Sequence, residues 1–330
     1  MKQRKLGTLT VSALGYGCMG LSHAYGVALE EGDAVRCIEE AFAQGYTFFD
    51  TAEVYTGRHA DGSPAVNEEL VGRAVRPFRD KIVLATKGGI RLTGTHTVVP
   101  DASEQSLRTS LEGSLKRLQV DCIDLYYQHK QDPKVEPEAV ASCMQAFMQE
   151  GKIRHWGISN ASADYIRRAD TVCKVTAVQM RYSLMARWHE ALFPLLEERN
   201  IGLVAFSPLA NGILSSEVRN ADQYDSSLDF RSWMPQYTEE GRERNRALTK
   251  LLEKLAAQRK VTPAQMALAW VLARKPWIVP IPGTGKLSRI RENARAADIQ
   301  LSPGELEALD RITKDQTYDV FGSWERSTGQ

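Results

Sequence analysis

No stretch of this sequence stays apolar long enough to cross a bilayer, and its first residues, Met1-Lys2-Gln3-Arg4-Lys5, carry charge without the apolar run of a secretory leader. The cytoplasm is the expected location. Neither sign of charge dominates, with 42 Lys plus Arg against 41 Asp plus Glu and a net charge of +1. No basic block interleaved with aromatics is present, which argues against nucleic acid as a partner. Cysteine is scarce and scattered: Cys18, Cys37, Cys122, Cys143 and Cys173 are odd in number and never stand in Cys-x-x-Cys spacing. Neither a disulfide framework nor a zinc site is expected, and no metal is assigned.

What remains is ordinary globular material, 330 residues with 43% hydrophobic and 25% charged. Short apolar runs rich in Val, Ile, Tyr and Phe alternate with longer stretches of helical period. The strand candidates are Leu14 to Gly17, Thr47 to Phe49, Ile82 to Thr86, Ile123 to Gln128, His155 to Ile158, Thr176 to Val178, Leu203 to Phe206 and Ile278 to Ile281. Between them, Asp33 to Gly45 offers an aspartate N-cap and a terminal glycine, and Ser103 to Leu118 has Glu104 in its first turn and Lys116 and Arg117 in its last. Eight strand-helix pairs without a break in composition predict an α/β fold of one domain over residues 1–330. The expected form is a single (β/α)8 TIM barrel with an N-terminal cap segment and function-bearing loops at its C-terminal face.

A doubly wound fold is the rival, because Gly15-Tyr16-Gly17-Cys18-Met19-Gly20 spells Gly-x-Gly-x-x-Gly. In a dinucleotide fingerprint the last glycine opens a helix. Here Leu21 to Gly32 reads as a loop and the helical signal starts only at Asp33, so the match is taken as a glycine-rich turn.

Polar residues follow the apolar runs: Asp50, Lys87, His129, Ser159, Asn160, Gln179 and Ser207. Barrel topology gathers such positions around one mouth. Each alone has an ordinary reading as a cap, an ion pair or a satisfied core group. Together, Asp50, Tyr55, Lys87 and His129 suit carbonyl reduction. An ammonium beside a tyrosine favours its phenolate, a carboxylate keeps that ammonium charged, and a neutral histidine donates to the substrate oxygen.

The segments Phe49-Asp50-Thr51-Ala52-Glu53-Val54-Tyr55, Ala85-Thr86-Lys87-Gly88 and Asp124-Leu125-Tyr126-Tyr127-Gln128-His129 resemble the motifs of the aldo-keto reductase superfamily. The resemblance covers almost the whole chain. It implies a barrel without a Rossmann domain, a nicotinamide cofactor, and a tetrad in which Tyr55 is the general acid and Asp50, Lys87 and His129 its partners. It also implies cofactor contacts from the first turn (Gly17, Cys18, Met19 with Asp50), a carboxamide site at Ser159, Asn160 and Gln179, and a ring-stacking Tyr182. A pyrophosphate segment would be Ser207, Pro208, Leu209 and Gly212. Ile281, Gly283, Thr284, Lys286, Arg289, Glu292 and Asn293 would hold the adenosine phosphate, and Lys286 with Arg289 favours NADPH. Two departures stand out: the run Thr56 to Val66 is long, and Gly285 occupies a place often bulkier or basic.

Loops after strands supply the expected substrate pocket: His23, Tyr25, Ile90, Lys130, Trp188 and Trp233, beside Tyr55 and His129. Their aromatics suit a flat or apolar carbonyl compound. The segment Ile213 to Thr238 is read as a lid after the seventh strand. Two rival functions remain at this level: a Schiff-base aldolase using Lys87, and a non-catalytic nicotinamide-binding regulatory subunit.

Overall fold

The chain opens with a hairpin rather than a barrel strand. In the computed structural model, which describes residues 1–93, 97–215, 221–314, 317–323 and 326, β1 (Gln3–Leu6) and β2 (Leu9–Ser12) pair antiparallel. Leu6 and Val11 join Phe48, Ala85, Leu125, Ala177, Val204 and Val279 in a cluster enclosed by the sheet. The hairpin is the expected cap segment, and it plugs the end away from the polar residues. Arg4 fixes it by donating to the carbonyls of Leu272, Lys275 and Ile278.

Eight parallel strands follow in the order β3 (Tyr16–Gly17), β4 (Phe48–Asp50), β7 (Val83–Gly88), β10 (Ile123–Gln128), β11 (Ile153–Ser159), β12 (Ala177–Arg181), β13 (Gly202–Phe206) and β14 (Ile278–Pro280). The cylinder closes where β14 meets β3: the Gly15 amide donates to Pro280 O at 3.0 Å. Glycine is required at this seam. A Cβ on Gly17 would lie 2.8 Å from Ile281 O, and one on Gly283 would lie 2.4 Å from Gly17 O.

Around the sheet run α1 (Glu31–Ala43), α2 (Asn67–Val75), α3 (Glu104–Leu118), α4 (Pro137–Gln149), α5 (Ala163–Val172), α6 (Phe193–Glu198), α7 (Glu239–Arg259), α8 (Pro263–Arg274), α9 (Leu287–Ala294) and α10 (Pro303–Lys314). The larger core lies between them and the sheet, with Trp156 and Trp270 fully buried in it. Ser103 caps α3 as expected, accepting from the Ser106 amide at 3.3 Å. Helix α1 starts earlier than its aspartate signal. Its N-cap is Glu30, and Asp33 stands in the first turn, where its negative charge faces the positive end of the helix.

Strand bounds also differ from the apolar runs. The first run shrinks to Tyr16–Gly17, while the sixth extends to Arg181 because its backbone pairs Met180 and Arg181 with Ala205 and Phe206. The long Thr56 to Val66 run folds as a hairpin of β5 (Thr56–Arg58) and β6 (Pro64–Val66). A second hairpin, β8 (Ile90–Thr93) with β9 (Thr97–Pro100), follows β7. The alternation of apolar and polar residues did not announce it. No helix among the described residues is long and apolar enough to cross a membrane.

Candidate active site

Strand parity decides which residues share the mouth. Successive strand residues point to opposite faces, so the inward set that begins with Phe48, Ala85, Leu125, Ala177 and Val204 continues to Asp50, Lys87, His129, Gln179, Arg181 and Phe206. Lys87, 1% exposed, donates from Nζ to Asp50 Oδ1 at 2.5 Å, to Thr51 O at 2.8 Å and to Tyr55 Oη at 3.2 Å. All three ammonium protons are thus committed. The second Asp50 oxygen accepts from Gln179 Nε2 at 2.8 Å. The Tyr55 loop is held by Asn67, whose amide donates to Tyr55 O at 3.0 Å and whose side chain ties Thr51 to Cys18 O and Ser22 Oγ.

His129 meets the Tyr55 ring edge-on at 6.0 Å, and its backbone amide donates to Gly88 O. Its Nδ1 is buried without a partner. Burial first, then the charges of Lys87 and Lys130, hold its pKa well below the ordinary value, so the ring is neutral near pH 7. Burial disfavours the ammonium of Lys87, but Asp50 and Tyr55 outweigh it and the pKa is raised. In Asp50, burial raises the carboxyl against the pull of Lys87 and Gln179. Such a close pair titrates as one unit. Tyr55 departs from the sequence expectation. Burial pushes its phenol up, and the neighbouring ammonium only partly reverses the shift.

Around the seam the backbone is arranged for close approach. Ser207, Ala210, Asn211 and Gly212 all have positive φ, at 48, 48, 61 and 114°. Ser159 and Gln179 are register partners on β11 and β12, and Asn160 follows with Oδ1 buried and unpartnered. Asn293 Oδ1 is in the same state on α9. Tyr16 donates to Thr284 O at 2.6 Å, fixing the turn that leads to Lys286.

A model described as the aldo/keto reductase family matches residues 13–314. The chain belongs to the aldo/keto reductase family. It is 41% identical over 311 residues to the probable aldo-keto reductase 1 of Glycine max, spanning 92% of this chain and 87% of that relative. Among solved structures it is similar to the glycerol dehydrogenase of Gluconobacter oxydans, with a TM-score of 0.82, 28% identity and 94% of each chain covered. It is also similar to an aldo-keto reductase of Bacillus halodurans in its holo form, with a TM-score of 0.75, 28% identity, and coverage of 97% of this chain and 98% of that one. This aldo/keto reductase is accordingly an oxidoreductase, of a family that generally uses a nicotinamide cofactor.

Several expected positions in the reductase face elsewhere. Tyr182 has the outward parity: its ring stacks on Trp270 at 5.6 Å, meets Phe193 edge-on, and its hydroxyl donates to Glu190 at 2.7 Å. No face of it is left for a ligand in the mouth. The inward aromatic is Phe206, with the Arg181 guanidinium 4.8 Å from its ring centre. Both residues were legible as Gln179 plus two and as the last residue of an apolar strand. Cys18 shares the outward parity of Tyr16, and its thiol is fully buried in the helix layer. Glu292 accepts from Thr262, the N-cap of α8, at 2.6 Å and from Arg289 at 3.4 Å, and so ties α9 to α8.

The rim is aromatic. His23 stacks on Tyr55 at 5.9 Å and meets Phe230 at 5.6 Å; Phe230, Trp233 and Phe321 then pack mutually at 4.9 to 5.9 Å. Trp233 is 47% exposed at the end of this wall. Tyr25 accepts from Asn211 Nδ2 at 2.9 Å, and Arg231 lies 5.1 Å from its ring. Tyr25 also bridges Asp229, so the loop after β3 clasps the segment after β13 across the mouth. Of that Ile213 to Thr238 segment, residues 216–220 lie outside the described residues. Ile90 is buried at the start of its hairpin. Trp188 is displaced from the Tyr55 wall: its indole donates to His189, and Arg326 covers its ring. Lys130 is half-buried beside His129.

Proposed function

We propose that the protein reduces an aldehyde or ketone to the alcohol, with NADPH as the reductant and Tyr55 as the general acid. The observation carrying this reading is the buried chain Gln179–Asp50–Lys87–Tyr55 beside a neutral His129. The substrate carbonyl oxygen would lie between Tyr55 Oη and the His129 ring, which donates a hydrogen bond and orients it. The Tyr55 proton passes to that oxygen as it becomes an alkoxide. The phenolate left behind is stabilised by the Lys87 ammonium at 3.2 Å, which Asp50 keeps charged. Solvent returns the proton to Tyr55.

The residues fit a nicotinamide dinucleotide. The unpartnered Asn160 and Asn293 oxygens, one after β11 and one on α9, are acceptors that a bound cofactor could satisfy, and the turn with positive φ at Ser207, Ala210, Asn211 and Gly212 would let backbone approach a pyrophosphate. Ser159, Asn160 and Gln179 would hold the carboxamide, and Phe206 in place of Tyr182 would offer the ring a flat face. Gly17, Gly283 and Thr284 would line the seam, and Lys286 with Arg289 would meet the 2′-phosphate. The nicotinamide supplies the hydride when bound. The wall of His23, Phe230, Trp233 and Phe321 favours an aromatic or apolar carbonyl compound.

An aldolase reading is weakened by the same geometry. A Schiff-base lysine must be free and uncharged, whereas Lys87 is triply hydrogen-bonded and held protonated. The direct test is a fluorescence titration with NADPH and NADH, followed by a panel of aldehydes and ketones with cofactor oxidation read by absorbance. Carbonyl-dependent NADPH oxidation supports the proposal. Binding without turnover across the panel would replace it with a regulatory role.

A further inference from the structure

Glu53 stands between Asp50 and Tyr55 in the chain and takes no part in the chemistry above. Its contacts converge on one short piece of backbone. The Glu53 amide donates to Lys87 O at 3.2 Å, and Glu53 Oε1 accepts from the Gly89 amide at 3.2 Å and from Ser110 Oγ, on α3, at 3.0 Å. One residue therefore grips both sides of Lys87-Gly88-Gly89. The intervening Gly88 carbonyl accepts the His129 amide at 2.8 Å, and the Gly89 carbonyl accepts the Asp101 amide at 3.0 Å, where the second hairpin returns. Gly89 has φ of 86°, a left-handed conformation that directs its amide toward Glu53.

On the reading that this is a carbonyl reductase, we propose that Glu53 is a positioning residue. Its carboxylate brackets Lys87 to Gly89 and so sets together the Lys87 ammonium, the His129 backbone and the departure of the β8–β9 hairpin, and protonation loosens that bracket. The carboxylate is placed to change charge in use. Burial raises its pKa to about 7; the Ser110 and Gly89 hydrogen bonds and Arg117 oppose the shift, and Glu68 adds to it. The groups facing it are Glu68 from α2, Ser110 and Arg117 from α3, and Tyr126 from β10. Glu68 is itself bonded to Arg117 at 2.7 Å and Thr86 at 2.5 Å, leaving Glu53 as the member whose partners are neutral donors. An ionised carboxylate accepts an amide hydrogen bond more strongly than a neutral carboxyl, so the bracket is tight above neutrality and weak below it.

Two readouts test this, one of them independent of turnover. The Gly89 amide, followed by NMR hydrogen exchange and corrected for intrinsic rates, is expected to lose protection by about tenfold between pH 8 and pH 6 in the native protein, and to be insensitive to pH in Glu53→Gln. With NADPH and 4-nitrobenzaldehyde as the probe substrate, kcat/KM is expected to show an inflection near pH 7 that is absent from Glu53→Gln. Ser110→Ala, which removes a donor to the carboxylate, is expected to move the inflection upward, and serves if the first variant does not fold. An inflection and a Gly89 response that persist unchanged in Glu53→Gln would overturn the proposal. If no enzyme form oxidises NADPH, the reductase reading has failed, and Gly89 exchange alone decides the bracket.

Discussion

Arg181 and Tyr182 are consecutive residues on opposite sides of the barrel wall. The guanidinium of the first lies over Phe206 inside the mouth, and the hydroxyl of the second reaches Glu190 among the helices. The strand runs past the apolar run ending at Val178 as far as the pairing of Arg181 with Phe206, and its parity points Arg181 into the mouth and Tyr182 out of it.

Tyr182→Phe is therefore expected to leave NADPH affinity unchanged and to lower stability by about 1 kcal/mol, the weight of one buried hydrogen bond. Phe206→Ala is expected to weaken NADPH by roughly three- to tenfold through loss of a stacking face. Fluorescence titration and urea unfolding of both variants check the assignment. The opposite pattern would restore Tyr182 to the cofactor site.

Tyr55→Phe is expected to bind NADPH as the native protein does and to turn over carbonyls at least about a hundredfold more slowly, the usual weight of a general acid. Steady-state kinetics with the best substrate of the panel decides it. Near-native turnover would remove Tyr55 from the role.

Lys286→Ala combined with Arg289→Ala should weaken NADPH by roughly tenfold or more while leaving NADH affinity in place, because charge-assisted bonds to the 2′-phosphate are lost. Parallel titrations of the two cofactors measure it. Equal losses for both would place these cations on a shared phosphate.

Glu53 also predicts a stability profile. Its native pKa of about 7 lies above its ordinary value of 4.5. Its contribution is fully present below that ordinary value and is lost as pH rises toward and through 7. Glu53→Gln should equal or slightly trail the native protein at pH 4 and exceed it at pH 8 by roughly 1–3 kcal/mol. Urea midpoints at the two pH values give the comparison, and a variant less stable at pH 8 would contradict it.

The barrel, and the gathering of Asp50, Tyr55, Lys87 and His129 at its mouth, were legible in the sequence for a shared reason. Six of the eight apolar runs are followed by a polar residue, so a run encodes a strand and the group at its end together, and Asp50, Lys87 and His129 stand at three such ends. The misplacements share a reason too. Cys18 and Tyr182 lie next to inward residues, so a segment-level resemblance locates them within one position but leaves the face undecided, and in a strand one position is the whole difference. The β8–β9 hairpin was missed because it pairs only with itself, on a ladder separate from the eight-stranded sheet. The burial-driven rise of the Tyr55 pKa depends on packing from distant loops, which no local motif carries.

The seam has a consequence for biosynthesis. Asp50, Tyr55, Lys87 and His129 are all made by position 129, yet the strand that closes the cylinder, Ile278–Pro280, comes about 150 residues later. A nascent chain carries Asp50, Tyr55, Lys87 and His129 on an open sheet whose first strand, Tyr16–Gly17, lacks one neighbour until Ile278–Pro280 is made. The longest wait between successive strands falls between the seventh, which ends at Phe206, and the eighth, which starts at Ile278.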